Sequence, residues 1–439
     1  MLFFEIFWYN KQNMYVFVCF CHKGGALMIN NLNEANSCIL CKNPRCQKNC
    51  PINTPIPEII KLYKEGNLLE AGKILFDNNP LSAICAIVCP HENQCSGNCI
   101  KGIKGEPIDF PEIEKEISRK FLETNEVEKI QSNGVKVAIV GSGPAGITVA
   151  LDLRRRGYDV TIFEKNEKIG GILTYGIPEF RLPKTNVNLL KKRLRANGIS
   201  IKINSMIGPV VTLSKLFEDG YKAIFIGTGV WNPKRLDIKG ESFGHVHYAI
   251  DYLRTPKSYE LGDNVIVIGA GNVAMDAARS AKYYGSKNVS IYYRRDVCDM
   301  TATKHEISEA QQEGIQFETF KAPVEVVDGG IIFENTKKVV NEDGSTSLVP
   351  VEGSSKFYPC DTILVAISQI ARNTIVINNK GLDVKQGGLL VTNEFGQTTR
   401  EGVYACGDVT DGARTVIEAV VDAKKICESM DKYLQQFVK

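Results

Sequence analysis

The chain has 439 residues, 44% hydrophobic and 23% charged, an ordinary soluble composition with room for about three domains. A net charge of +3 with no outstanding basic run argues against nucleic acid as a main partner. Of 14 cysteines, eight lie from Cys38 to Cys99 and four follow at Cys298, Cys360, Cys406 and Cys427, which reads as metal ligation in a reducing cytosol rather than as a secreted disulfide framework.

Residues 1–27 hold two apolar pieces, Leu2 to Tyr9 and Met14 to Cys21, split by Asn10-Lys11-Gln12-Asn13. Neither piece approaches the roughly 20 residues needed to span a bilayer, and neither a basic start nor a small-residue cleavage site marks a signal peptide. The expectation is that translation begins at Met28 and that residues 1–27 are an extension with no role in the fold. A short membrane-surface anchor is the alternative, although the segment shows no basic face.

Residues 28–130 carry the pattern Cys38-x2-Cys41-x4-Cys46-x3-Cys50-Pro51 and then Cys85-x3-Cys89-Pro90-x4-Cys95-x3-Cys99. A proline directly after the last cysteine of a run is similar to bacterial ferredoxins, where that cysteine serves the other cluster. Zinc is the competing reading, since Cys38-x2-Cys41 alone would fit a zinc knuckle, but zinc takes four ligands in paired spacing. Ile56 to Ile60 and Leu62 to Leu75 have helical apolar spacing with Lys61, Lys64 and Glu65 outside, and Glu112 to Leu122 is a further helix after Pro107 and Pro111.

Here the chain resembles a known family. Asn79-Pro-Leu-Ser-Ala-Ile-Cys85-x3-Cys89-Pro90 is similar to the glutamate synthase small-subunit family and to the matching region of dihydropyrimidine dehydrogenase and its bacterial electron-input subunit. The resemblance implies two [4Fe-4S] clusters with interleaved ligands. Carried over, Cys38, Cys41, Cys46 and Cys99 hold one cluster. Cys50, Cys89 and Cys95 hold the other with a Glu or Gln, here Glu114 in Ile108-Asp-Phe-Pro-Glu-Ile-Glu114. Glu112 stays open, because the family's glycine is missing from this segment. Cys85 matches the family's extra cysteine, which is not a ligand, and reads as a small buried thiol.

After the linker Gln131-Ser132-Asn133-Gly134, the stretch Val137-Ala-Ile-Val-Gly141-Ser-Gly143-Pro144-Ala145-Gly146 reads as a buried strand, a G-x-G-x-x-G turn and a helix start. Those glycines allow a tight turn, backbone approach to a pyrophosphate and close helix packing, while the helix start offers free N–H groups. Asp159-Val-Thr-Ile-Phe-Glu164 ends in an acid placed to accept from a ribose diol. Ile169-Gly170-Gly171 through Arg181 to Lys184 is a long signature that in the resembling family lies beside the flavin. Val187 to Asn197 carries Lys191, Lys192, Arg193 and Arg195 and reads as a helix with a solvated basic face. Ala223-Ile-Phe-Ile-Gly227-Thr228-Gly229 is a strand and turn that two-dinucleotide flavoproteins use beside adenine.

Asn264-Val-Ile-Val-Ile-Gly269-Ala-Gly271-Asn272-Val273-Ala274 repeats the strand–turn–helix logic, with Ala274 at the third glycine position. The next strand ends in Arg294 and Arg295 where the first site has Glu164. Arginine forks onto a 2′-phosphate that an acid would repel, so this site is expected to prefer NADPH; a surface ion pair is the alternative for the two arginines. Gly329-Gly330 and Asn341-Glu-Asp-Gly-Ser-Thr-Ser read as hairpin turns. Gly402-Val-Tyr-Ala-Cys406-Gly407-Asp408 is a strand whose closing Gly-Asp, in such flavoproteins, bonds the ribityl or pyrophosphate end of FAD, and a helix runs from Thr415 to about Gln435.

The expected fold is α/β: a helical iron–sulfur domain (28–130), an FAD domain in two parts (131–258 and 368–439), and an NADPH domain inserted between them (259–367). The resemblance implies hydride transfer from NADPH to flavin and single-electron release through the clusters, with no protein acid or base. The expected partner is a large FMN and iron–sulfur subunit, as in glutamate synthase, or a ferredoxin-like acceptor. Dihydropyrimidine dehydrogenase, a ferredoxin–NADP transhydrogenase and a free-standing diaphorase remain alternatives. A disulfide reductase would need a Cys-x-x-Cys in the nucleotide domain, and none follows Cys99. A non-catalytic electron-transfer adaptor is a third class. Neither a membrane nor a nucleic acid is expected as a partner.

Overall fold

A computed structural model describes residues 31–438 except 125, 126, 128, 342 and 373; the expected extension 1–27 and the start at Met28 lie outside the described residues. Two parallel five-stranded sheets carry the fold. In the first the order is Val403–Ala405, Tyr221–Ile226, Lys136–Val140, Asp159–Phe163 and Ser200–Lys202. The four apolar residues Val137 to Val140 are buried, as befits a central strand covered on both faces. Helices Pro144–Arg155 and Val416–Leu434 pack together over this sheet. The second begins with a Thr415 capping box, in which Thr415 Oγ1 accepts from Glu418 N–H while the Glu418 carboxylate accepts from Thr415 N–H.

The second sheet runs Val246–Tyr248, Thr362–Val365, Asn264–Ile268, Asn288–Tyr293 and Gln316–Thr319, again all parallel. One face takes helix Asn272–Tyr283. The other takes an antiparallel sheet of Lys321–Val327, Gly330–Val340, Thr346–Pro350 and Lys356–Pro359, with Tyr292 stacked on Phe333 at 4.4 Å. Both expected hairpin turns join strands of this antiparallel sheet. The chain passes between the two halves along an antiparallel pair, Val230–Pro233 with Gln369–Ala371. Val246–Tyr248 therefore joins the second sheet although it precedes residue 259.

In the cysteine region, helices Ile56–Lys64, Leu68–Asn78 and Phe110–Glu123 enclose a core around Ile59, Ile60, Tyr63, Leu75 and Ile113. The continuous helix expected over Leu62 to Leu75 is broken. Gly66 takes φ +78°, its N–H donates to Tyr63 O at 3.1 Å, and Asn67 N–H donates to Leu62 O at 2.9 Å. That is a Schellman stop, which glycine enters without steric penalty. Leu81, Ile84, Cys85 and Leu122 pack into the same core as Val149, Leu153, Leu194 and Val420, so the cysteine region and the first nucleotide half share one interior.

Arg193 departs from the expected solvated face. Helix Lys184–Ala196 turns it inward, 4% exposed. Its guanidinium lies 4.6 Å from the Phe121 ring and 5.5 Å from the Phe76 ring and donates to Phe121 O. A guanidinium stacks on aromatic faces and keeps its donors in use. Among the described residues no helix is long and apolar enough to cross a membrane.

Candidate functional site

The first turn closes one wall of a cavity of about 230 Å3. Gly141 takes φ +101°, and a Cβ there would stand 2.6 Å from Gly227 O; a Cβ on Gly146 would stand 2.1 Å from Gly141 O. Glycine is the residue that fits both. Gly143, Pro144 and Ala145 line the cavity at the N-terminus of helix Pro144–Arg155, where unpaired N–H groups and the helix dipole favour anions. Gly171 lines it too, while Gly170 sits behind, its N–H donating to Ser142 O at 3.0 Å. Gly229 lies on the opposite wall.

Glu164 lines the cavity and is 4% exposed. Its Oε2 accepts from Ser142 N–H at 3.1 Å and Ser142 Oγ–H at 2.5 Å, and its Oε1 accepts from the Asn166 N–H and Nδ2 at 2.8 Å each. Asp408, just after Gly407 (φ +73°), lines the far end. It accepts from Arg414 N–H at 3.2 Å, and burial pushes its carboxyl up to about 6. Three cavity cations were not read from the sequence: Lys165, Arg372 and Arg414, the last paired with Asp411 and Asp422. Lys165 is held down to about 8, first by burial and then by Arg372 and Arg254. Arg372 carries a buried Nε with no hydrogen-bond partner among the described residues. Lys165 directly follows the acid of the motif, which was an available signal; Arg372 lies in a remote loop and had none.

A second cleft of about 1020 Å3 is lined by Gly269, Gly271, Asn272, Val273, Arg294 and Arg295. Ala274 is fully buried in the helix behind it. Arg294 and Arg295 are exposed at the end of strand Asn288–Tyr293, and neither guanidinium forms an ion pair among the described residues. The two cavities share Ile172, Val273, Thr415 and Val416, so a group in either lies against the same wall.

Arg181 lines the second cleft, but its guanidinium is committed to protein carboxylates: Nη1 meets Asp276 Oδ2 at 2.8 Å and Nε meets Glu306 Oε1 at 2.6 Å. Glu306, given no role from sequence, also meets Arg279 at 3.1 Å. Burial pushes the Asp276 carboxyl up to about 7 against the pull of Arg181.

The cysteines fall into two neighbourhoods. Cys38, Cys41, Cys46 and Cys99 line one small cavity, and Cys95, which belongs by its other contacts to the second group, reaches its wall too. Burial, then the charges of Cys99, Cys38 and Cys41, push the Cys46 thiol up to about 11. Cys50 and Glu114 bear on Cys95, whose thiol burial and the Glu114 charge lift to about 12; Glu114 and Cys95 likewise bear on Cys89. Glu114 is buried at 7% exposure, and desolvation holds its carboxyl well above the usual range. Glu112 instead faces solvent and pairs with Lys115. Cys85 hydrogen-bonds Cys89. Among the described residues no three side chains converge tightly enough to hold a single metal ion; the thiols are neighbours spread around a space. Val88 and Pro90, on either side of Cys89, line the second cleft.

These observations test the cofactors that the motifs imply. The first cavity offers a glycine turn, a helix N-terminus and unpartnered arginine nitrogen, which fit a dinucleotide. Crowded, mostly half-buried thiols repel one another as thiolates and fit a cationic iron–sulfur core.

The family described as "pyridine nucleotide-disulphide oxidoreductase" matches residues 135–425. The family described as "dihydroprymidine dehydrogenase domain II, 4Fe-4S cluster" matches residues 23–126. The chain is 30% identical to the glutamate synthase [NADPH] small chain of Halomonas elongata, over 91% of this chain and 90% of that one. The chain belongs to the glutamate synthase small-chain family of pyridine nucleotide-disulphide oxidoreductases. It is a nicotinamide-dependent flavin and iron–sulfur oxidoreductase subunit. It is also 30% identical to a protein of Salmonella typhi described as a homologue of the NAD-dependent dihydropyrimidine dehydrogenase subunit PreT, over 92% of this chain and 94% of that one. In fold it is similar to Mycobacterium tuberculosis FprA, solved in complex with NADPH, with TM-score 0.58, 18% identity, and 69% and 85% of the two chains covered.

Proposed function

We propose that the chain is the NADPH-oxidising small subunit of a glutamate synthase, with two [4Fe-4S] clusters, working in the cytoplasm beside a large FMN and iron–sulfur subunit. The observation that carries this reading is the meeting of three elements: two nucleotide cavities with a common wall, and Val88 and Pro90 beside Cys89 in the second of them. When bound, FAD supplies hydride acceptance from NADPH and one-electron release, and the clusters supply one-electron relay.

The chain's own residues position and select. The Gly141–Ala145 turn would hold the FAD pyrophosphate, Glu164 its ribose and Asp408 its ribityl end. The Gly269–Asn272 turn would hold the NADPH pyrophosphate, and the unpaired Arg294 and Arg295 would fork onto its 2′-phosphate. That pair favours NADPH over the NAD named for the PreT relative. Thr415 and Val416, shared by both cavities, would keep the two rings apart from solvent. Cys38, Cys41, Cys46 and Cys99 would hold one cluster, and Cys50, Cys89, Cys95 and Glu114 the other. The domain limits follow the same reading, with the NADPH domain inserted into the FAD domain.

The test is anaerobic affinity purification from the source cell with mass spectrometry, iron and flavin analysis, followed by titration with NADPH and NADH. A co-purifying large subunit with a glutaminase domain, and preferential bleaching of flavin and cluster absorption by NADPH, are expected. A pyrimidine dehydrogenase subunit alongside the chain would assign it instead as the electron-input subunit of that enzyme.

A further inference from the structure

The surface over the Cys38 neighbourhood is apolar at its centre and basic around it. Ile39 is 65% exposed, Ile103 61%, Ile100 43% and Leu40 38%. Ile39 and Ile100 line the same cavity as Cys38, Cys41, Cys46 and Cys99, so these apolar side chains stand directly on the thiol group. Leu40 is held at φ +49°. A leucine in the left-handed region is strained and persists only where its surroundings impose it, a pattern typical of functional sites.

Around this centre, segments 38–50 and 99–106 carry Lys42, Arg45, Lys48, Lys101 and Lys104 against one acid, Glu106. None of the five cations forms an ion pair among the described residues. Other surface cations are paired, as with Lys215 and Asp219 or Lys287 and Asp263. Five cations against one acid stand out in a chain whose net charge is only +3, and two of them, Arg45 and Lys101, line the cavity beneath the patch.

The other cysteine neighbourhood faces inward: Cys89 packs against the core of the first nucleotide half, and its chain neighbours line the nicotinamide cleft. Electrons entering at that end and passing outward would reach the protein surface at the Ile39–Ile100 patch. We infer that this patch is the docking face for a one-electron acceptor protein whose own docking face is acidic around an apolar centre. The inference rests on the function proposed above. The balance is NADPH plus two oxidised acceptors giving NADP+, one proton and two reduced acceptors. Basic and acidic faces steer encounter, and the apolar centre excludes water at contact.

The experiment uses the full reconstituted chain and an acidic [2Fe–2S] ferredoxin as acceptor. A variant with Lys42→Glu, Lys48→Glu and Lys104→Glu changes exposed side chains that line neither nucleotide cavity nor the Cys38 cavity; Lys257→Glu, in another segment, is the control. Wild type and control should reduce the ferredoxin at a rate that falls with added salt. The triple variant should be slower at low salt by at least about ten-fold and lose the salt dependence, while NADPH still reduces its flavin and clusters at the wild-type rate. Equal rates and equal salt slopes in wild type and triple variant overturn the docking face, as does a wild type that reduces an artificial dye but not the ferredoxin. A wild type whose flavin and clusters NADPH fails to reduce overturns the proposed function itself, and the docking face with it.

Discussion

Arg181 reaches from the first nucleotide half to Asp276 in the second, Nη1 to Oδ2 at 2.8 Å, with side chains 10% and 4% exposed. The same guanidinium meets Glu306, and Glu306 meets Arg279, so one buried chain of charges ties the halves together beside the second cleft. Removing one member of such a group strands its partners without water.

Arg181→Met should therefore destabilise the chain by about 3–5 kcal/mol, read by denaturant unfolding. Adding Asp276→Asn should recover part of the loss, because one stranded charge is then gone. A double variant as unstable as the sum of the two singles would show that the groups act independently.

Asp276 also sets a pH dependence. Its carboxyl is raised to about 7 by burial, so the folded state binds more protons than the unfolded one between the ordinary carboxylate range and about 7. Stability from this group is complete below the ordinary aspartate range and is lost as pH rises through about 7. Between about pH 5 and pH 8, wild type should lose more stability than Asp276→Asn, as read by melting temperature. Parallel curves would locate the pH dependence elsewhere.

Both nucleotide turns and their strand partners were legible because the chemistry needs local sequence: glycines at fixed steps, then an acid or an arginine at the next strand's end. The sheets followed from short apolar runs such as Val137 to Val140 and Val265 to Ile268. Arg193 was misread because helical spacing shows which face a residue is on, not that Phe76 and Phe121, more than 70 residues earlier, supply rings for it to cover. Gly66 was passed over because apolar spacing on both sides kept the same phase. Arg181 matched the family signature, but its tie to Asp276 and Glu306 is a contact between distant segments that no spacing encodes.

The choice between Glu114 and Glu112 was open in sequence and is sharply separated by burial. Glu114→Ala should lower the iron content by about one cluster's share and remove one cluster signal from the electron paramagnetic resonance spectrum. Glu112→Ala, which loses only a surface pair with Lys115, should leave both unchanged. The reverse result would move the ligand to Glu112.

On the proposed function, Arg294 and Arg295 would read the 2′-phosphate of the nucleotide. They sit exposed at the lip of the cleft, neither in an ion pair among the described residues, and a charged guanidinium gains most from an anion that can accept two hydrogen bonds at once. Each hydrogen bond to a charged group contributes about 1.5–3 kcal/mol. Replacing both by alanine should lower kcat/KM for NADPH by at least ten-fold, on the order of what one such bond supplies. NADH carries no 2′-phosphate, so its kcat/KM should change by less than about two-fold, since nothing it binds has been removed. A parallel fall for both nucleotides would mean that the arginines support the cleft rather than read the phosphate.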